Sequence, residues 1–483
     1  MEGLVVDLFA GGGGASTGLA QALGRDPDIA INHDAEALSM HMANHPSTRH
    51  LLNDITRVLP LEATEGRKVS ILHASPDCTH FSKAKGGKPR SQYIRDLAWV
   101  VLRWAEDTRP TLITLENVEE FQTWGPLDHE GQPIREQAGQ TFRAWVRRLR
   151  RLGYKVEWRE LMACDYGAPT KRKRLFVVAR RDGGRIVWPE QTHGDPRSPE
   201  VQTGKLLPWR TAAECIDWSI PGRSIFDRQK PLAPKTQRRI AEGLRRYVIT
   251  AESPFILDSS RAAPVLSRQF GCSIGQSVME PHPTITQCNH DALITANLIK
   301  MRGTNVGAPV NEPLRTISAQ GQHHALVTSY LVKYYGNESG GVPVSDPLHT
   351  ITSKDRMALV SVSLNFWERY EQVRDFLREW SVIGHNEEAE FQTSGTTYRI
   401  TDILMRMLTP RELYTAQGFP TSYIIDHGAD GRPLTKTAQV RMCGNSVPPQ
   451  LVDALVRANG PETWNVEHNE EWPLLSACAA GWK

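Results

Sequence analysis

Leu4-Val5-Val6-Asp7-Leu8-Phe9 is an apolar run interrupted only by Asp7, and Ala10-Gly11-Gly12-Gly13-Gly14 follows it at once. Ala15 to Leu23 then reads as a helix. Strand, glycine turn and helix in that order predict the opening crossover of an open α/β sheet. Glycines let the backbone approach a ligand closely, and a helix start presents free N–H groups and positive potential to an anion. The turn is not G-x-G-x-x-G and lacks the Gly-Lys-Ser/Thr of a phosphate loop. The carboxylate of an amino-acid-like cofactor would suit it as well as a phosphate.

Two further strands point at the same crevice. Val69-Ser70-Ile71-Leu72-His73-Ala74-Ser75 is a short, β-branched apolar run bounded by a proline, and Pro76-Asp77-Cys78-Thr79-His80-Phe81-Ser82 follows. A lone cysteine is most often a buried structural thiol. Just past a strand end, however, it occupies a ligand-facing loop of an open sheet. Leu112-Ile113-Thr114-Leu115-Glu116-Asn117-Val118 is a third apolar strand, ending in an acid and an amide. Glu116 alone could cap a helix or pair with an arginine. A thiol, a carboxyl and a glycine turn at the ends of three strands of one sheet form a constellation that faces one crevice.

In order, these segments resemble the motifs of the DNA (cytosine-5)-methyltransferases. Asp7 to Gly14 is similar to the first cofactor motif, and Asn53-Asp54-Ile55 matches the acidic motif after the third strand. Pro76 to Ser82 resembles the nucleophile loop, Glu116-Asn117-Val118 the base-gripping motif, and Tyr166 to Phe176 the later basic motif. Arg406-Met407-Leu408-Thr409-Pro410-Arg411-Glu412 with Ala416 to Pro420 matches the ninth, and Gly444-Asn445-Ser446-Val447-Pro448-Pro449 the last. The resemblance covers residues 1–181 and about 401–456. Three departures stand out. Asp77 and Thr79 flank Cys78 where Pro-Cys-Gln is usual. Asn32 and His33 replace the ribose-binding acid, with Asp34 just beyond. Thr170 stands where a glutamine is usual.

The resemblance implies an α/β, Rossmann-like, S-adenosylmethionine-dependent methyltransferase fold with a second, β-rich target-recognition domain. It makes Cys78, Glu116, Asn117, Arg172 and Arg174 the catalytic group. Asp7, Phe9, Ala10, Gly11, Gly13, Gly14, Asp34, Asp54, Ile55, Pro76, Asn445, Ser446 and Val447 become the cofactor-binding set. Cytosine carbon-5 is a poor nucleophile, so a thiolate first adds to carbon-6, splitting one hard step into easier ones. Glu116 would act at ring nitrogen-3 and Arg174 at the base carbonyl, while Asn117 would organise the loop. The target atom is inaccessible in a duplex, so the base must be flipped out.

Length and composition agree with this reading. The 483 residues allow two or three domains with full cores, and 23% charged with 40% hydrophobic residues is ordinary for a globular protein. No apolar run reaches eighteen residues and Met1 leads straight into a strand, so neither a membrane span nor a signal peptide is expected. Seven cysteines at 78, 164, 215, 272, 288, 443 and 478 form no Cys-x-x-Cys pair. That predicts reduced thiols in a cytoplasmic protein, with neither metal nor disulfide framework. The net charge of +3 conceals thirteen Lys or Arg against three Asp or Glu between Thr141 and Arg181. Arg147, Arg148, Arg150 and Arg151 could be a solvated helix face or a phosphate-binding surface, whereas Lys171 to Arg174 favours nucleic acid. The expected partner is double-stranded DNA, bound by a monomer.

Residues 182–400 carry a repeat. Glu280-Pro281-His282-Pro283-Thr284-Ile285-Thr286, Glu312-Pro313-Leu314-Arg315-Thr316-Ile317-Ser318 and Asp346-Pro347-Leu348-His349-Thr350-Ile351-Thr352 are one phrase. A second phrase follows each, placing Ala292, Ala325 and Ala358 33 residues apart. Leu298 to Gly303 and Leu331 to Gly336 read as strands ending in glycine loops. Three copies, at about 265–360, imply stacked β-rich units. The expected division is therefore a catalytic domain over 1–181, a target-recognition region over 182–400, closing motifs over 401–460 and a tail over 461–483. A catalytically silent DNA-binding relative and the same chemistry on transfer RNA are the rival functions.

Overall fold

The computed structural model describes residues 3–77, 97–252, 254, 262–268, 282–283, 291–298, 328–333, 357–358, 369–393 and 396–460. The first sheet holds β1 (Leu4–Leu8), β2 (Ile29–Asn32), β3 (Arg49–Leu52), β4 (Val69–Ala74), β5 (Leu112–Asn117), β6 (Lys155–Met162) and β7 (Lys173–Arg180). Their order is β3-β2-β1-β4-β5-β7-β6, with β1 to β5 parallel and β7 antiparallel to both of its neighbours. Successive strands run outward from β1 to β3, then cross back to β4. The reversal opens a crevice at the carboxyl ends of β1 and β4, where sheets of this kind bind ligands. This is the Rossmann-like α/β fold the sequence predicts.

Every residue of β1, β4 and β5 is buried, as for strands covered on both faces. On one face Leu4, Val6 and Leu8 join Trp104 of α3 (Ala98–Thr108) and Trp145 of α4 (Gln140–Arg151). On the other, Val5 packs with Leu19 of α1 (Gly14–Leu23) and Leu451 and Leu455 of the final helix (Pro449–Asn459). Asp7 shares the face of Val5, because strand side chains alternate.

The second sheet contains β8 (Ala262–Arg268), β9 (Asp291–Leu298), β10 (Thr328–Lys333), β11 (Glu390–Thr393) and β12 (Thr396–Met407), in the order β12-β9-β8-β10 with β11 on β12. The helices α5 (Pro234–Leu244) and α6 (Tyr370–Glu379) cover it, contributing Ile240, Leu244, Val373 and Leu377 to a core with Ile400 and Ile403. The repeat's second phrase forms strand: Ala292 lies in β9, and Met357–Ala358 pairs with Val332–Lys333. Leu298 is the last described residue of β9, and the rest of the expected strand-like stretch, 299–303, lies outside the described residues. His282–Pro283 of the first copy pairs with Thr170–Lys171, within the basic motif. Loops 303–305 and 336–338 lie outside the described residues.

The chain then returns to the first sheet through α7 (Pro410–Ala416), α8 (Lys436–Asn445) and α9 (Pro449–Asn459). Arg406 at the end of β12 reaches Glu412 of α7 at 2.6 Å and 2.9 Å, with the two side chains 9% and 2% exposed. Glu412 completes a capping box with Thr409 and accepts from Asp217 N, while Arg406 donates to the carbonyls of Asp217 and Ile220. The ninth motif is thus a buried charged hub joining the second sheet to the closing helices.

Candidate active site

The glycine turn is held by parts of the chain more than four hundred residues away. Phe9, Gly11 and Gly13 have φ of 63°, 53° and 94°, so the backbone reverses through three left-handed residues. Phe9 carries strain that a glycine would not. Ala10 is buried and donates to Ile31 O at 3.0 Å. Tyr423 OH donates to Gly12 O at 2.6 Å. A Cβ on Gly14 would lie 1.9 Å from Ser446 Oγ and 2.3 Å from Val447 O, so only glycine admits the last motif there. Gln417 Nε2 fixes that motif by donating to Ser446 O at 2.7 Å. Asn445, next to it, is exposed.

Across the crevice, Glu116 and Asn117 end β5 and are both buried. Glu116 Oε1 lies 3.1 Å from Arg174 Nε and 3.9 Å from Arg172 Nη2. Burial raises the Glu116 pKa by more than the two guanidinium groups lower it. A carboxyl held toward its neutral form can donate a hydrogen bond or a proton. Asn117 Nδ2 donates to Pro76 O at 3.0 Å, and its Oδ1 accepts from Val118 N at 2.9 Å. The end of β5 is thereby tied to the buried residue two positions before Cys78, which lies outside the described residues. Arg172 Nη1 donates to Gly444 O at 3.1 Å, joining the basic motif to the last one.

Other expected cofactor residues have structural duties. Asp34 caps α2 (Ala35–Asn44), accepting from Glu36 N and Ala37 N, and pairs with Arg441. Asn32 Oδ1 accepts from Asp34 N at 2.8 Å, and His33 is exposed. Asp54 closes a turn on Thr56 N at 2.9 Å and Thr56 Oγ1 at 2.8 Å. Buried Ile55 has its carbonyl held by Arg103 at 2.9 Å. Asp7 is fully buried and accepts from Ser16 Oγ at 2.7 Å, so its side chain supports the turn from below.

Both basic clusters have partners within the fold. Lys173 pairs with Glu160 and sits 3.7 Å from Glu119, while Lys171 lies over the Trp209 ring at 5.6 Å. The two arginines, Arg172 and Arg174, turn inward beside the buried Glu116, whereas Lys173 and its partners Glu160 and Glu119 are partly exposed. On α4, Arg148 pairs with Glu106 at 2.7 Å and Arg150 donates to Val156 O at 3.2 Å.

Sequence reasoning passed over His41, His45 and His50, whose rings gather beneath the turn with centroids 4.7 Å and 4.8 Å apart. It also passed over Arg441 and Tyr423, and it took Gln417 only as part of the ninth motif. None stands next to a site residue in the sequence. Among the described residues no cluster of His, Cys, Asp or Glu is arranged to hold a metal ion, and no helix is long and apolar enough to cross a membrane.

The family model for C-5 cytosine-specific DNA methylases matches residues 4–211 and 309–460. Type II methyltransferase M.AgeI of Thalassovita gelatinovora is 31% identical over 93% of this chain and 97% of its own length. M.AquIA of Picosynechococcus sp. is 28% identical over 46% of this chain and 90% of its own. M1.HphI of Haemophilus parahaemolyticus is 30% identical over 39% of this chain and 48% of its own. The solved structure of Spodoptera frugiperda DNMT2 aligns with 95% of this chain and 99% of its own, at 12% identity and a TM-score of 0.48. The family match takes in both β1 with its glycine turn and the closing motif around Ser446 that packs against that turn; the chain belongs to the C-5 cytosine-specific DNA methylase family.

Proposed function

We propose that this chain transfers a methyl group from S-adenosylmethionine to carbon-5 of a cytosine flipped out of duplex DNA, through a covalent adduct to Cys78. The observation that carries the reading is the pairing of duties at the end of β5. Glu116 is a buried acid kept toward its neutral form, and its neighbour Asn117 anchors the loop that bears Cys78. When bound, S-adenosylmethionine supplies an electrophilic methyl group.

The chain's residues supply the rest. The Cys78 sulfur adds as thiolate to carbon-6, and a thiol near pKa 8.5 needs its loop or the substrate to help it ionise. Glu116 donates at nitrogen-3 as negative charge builds in the ring, the point at which such a donor lowers the barrier. Arg174, held against Glu116, takes the base carbonyl in this reading, while Arg172 fixes the last motif against the basic one. The turn from Phe9 to Gly14, closed by Ser446 and Val447, suits the amino-acid end of the methyl donor. Residues 182–400, with their repeats, are the reading's target-recognition region. The relatives' names as Type II methyltransferases favour DNA over RNA and a role beside a restriction enzyme.

Tritiated S-adenosylmethionine with duplex DNA or transfer RNA tests it. Label should enter DNA, Cys78→Ser should abolish transfer, and wild type should be trapped on DNA containing 5-fluorocytosine. Methylation of ordinary DNA together with no denaturation-resistant adduct on the 5-fluorocytosine DNA would refute the thiol route. Changing 303–305 or 336–338 should alter which cytosines are modified, each lost base-edge contact removing about 1–3 kcal/mol of discrimination.

A further inference from the structure

Beneath the glycine turn runs a hydrogen-bonded chain that none of the proposed chemistry uses. Asp7 Oδ2 accepts from Ser16 Oγ at 2.7 Å, Ser16 Oγ meets His41 Nε2 at 2.9 Å, and His41 Nδ1 meets His50 Nε2 at 2.8 Å. Asp7, Ser16 and His41 are completely buried, whereas His50 on β3 is half-buried and reaches the surface. The chain touches the turn itself: a Cβ on Gly13 would lie 3.3 Å from His41 Cδ2 and 3.2 Å from His45 Nε2.

A hydroxyl has one proton and a neutral imidazole has one, so the chain has two complete arrangements. With Asp7 ionised, His50 donates to His41, His41 Nε2 donates to Ser16, and Ser16 donates to Asp7. With Asp7 protonated, every bond reverses: Asp7 donates to Ser16, Ser16 to His41 Nε2, and His41 Nδ1 to His50. His41 is neutral in both, in keeping with burial pushing its pKa well below the usual histidine value.

The groups around Asp7 leave its charge uncompensated. His73 is its register partner on β4, fully buried, bonded to Thr114 Oγ1 at 2.9 Å and lowered by burial to about 3. Among the described residues, Asp7 Oδ1 and His73 Nε2 have no hydrogen-bond partner. α1 offers Ser16, α2 offers His41 behind it, β2 offers Ala30, and Tyr423 beyond Gly12 is held above its ordinary phenol range. His45, further out, has its own carboxylate in Asp26 at 2.8 Å. Burial raises Asp7 to about 7, against the pull of the Ser16 bond.

We propose that Asp7 is a charge sensor for the methyl donor: it holds a proton while the turn is empty and releases it through Ser16, His41 and His50 when a sulfonium cation binds at the turn. This rests on the reading of the turn as the methyl-donor site. The transfer balances. Asp7 gives its proton to Ser16 Oγ, Ser16 gives its own to His41 Nε2, His41 Nδ1–H goes to His50 Nε2, and His50 passes one proton to water. S-adenosylhomocysteine, whose sulfur is uncharged, gives Asp7 no such reason to ionise. The site thereby favours substrate over spent product without a contact to either sulfur.

Calorimetric titration of the full chain with each ligand, from about pH 6 to about pH 8.5 in buffers of different ionisation enthalpy, tests this. S-adenosylmethionine should bind up to about tenfold more weakly at the acid end, with proton release there. S-adenosylhomocysteine should show a flatter profile. Asp7→Asn should remove both the pH dependence and the proton release. Ser16→Ala, which takes away the donor favouring the ionised form, should move the dependence to higher pH. Flat wild-type profiles, or release that persists in Asp7→Asn, would overturn the inference while leaving the cofactor site intact. No binding of S-adenosylmethionine at any pH would overturn the reading of the turn and the inference with it.

Discussion

Asn117→Ala offers the sharpest test of how the catalytic loop is placed. The side chain is 1% exposed and makes two bonds, donating to Pro76 O at 3.0 Å and accepting from Val118 N at 2.9 Å. Truncation leaves the Pro76 carbonyl buried without its donor, which costs about 1–3 kcal/mol. Pro76 precedes Cys78 by two residues, so that energy falls on the conformations that present the thiol. If the loop relaxes to another conformation, the correctly placed fraction drops by about fivefold to about 150-fold. Single-turnover methylation with enzyme in excess over DNA measures this directly, since product release does not enter. Affinity for S-adenosylmethionine should change little, because the turn proposed to bind it hangs on Ser446 and Tyr423. An unchanged single-turnover rate, with the variant folded, would show that the tether does not position Cys78.

Glu116→Gln should slow transfer by about two to four decades with methyl-donor affinity kept. Because burial raises the Glu116 pKa, the wild-type rate should be present at lower pH and fall as pH rises through that raised value; the glutamine variant should lack this limb in a pH–rate profile. Glu412→Ala should destabilise the protein by about 3–5 kcal/mol, since it strands Arg406 in the interior, and chemical denaturation reads the loss. Gly14→Ala should cost about 1–3 kcal/mol through its clash with Ser446 and Val447, seen as weakened S-adenosylmethionine binding by calorimetry.

Much of the catalytic half is legible in the chain because its signals are local. Continuous apolar runs mark β1, β4 and β5, and the glycines mark a turn that needs left-handed residues. The expected catalytic residues lie at or near strand ends: Glu116 and Asn117 are the last two residues of β5, and Cys78 follows the end of β4 by four positions. Asp34 is the instructive exception. As a sequence feature it stood near a ribose-binding position, yet it caps α2 and pairs with Arg441. The cap is local, but the ion pair is invisible in the sequence because Arg441 lies 407 residues away.

What the sequence determined by itself is therefore the order of elements and the chemical types at their ends, since periodicity, glycine turns and capping act over a few residues. Only the tertiary structure decided which groups meet. It brought Ser446 against Gly14, paired Lys173 with Glu160, and strung Asp7, Ser16, His41 and His50 into one chain. Each of those contacts closes a long loop, and its partner is chosen by the packing of helices on a sheet. Burial, which sets the protonation of Glu116 and Asp7, belongs to the same level: it is a property of the surrounding fold, and no residue carries it alone.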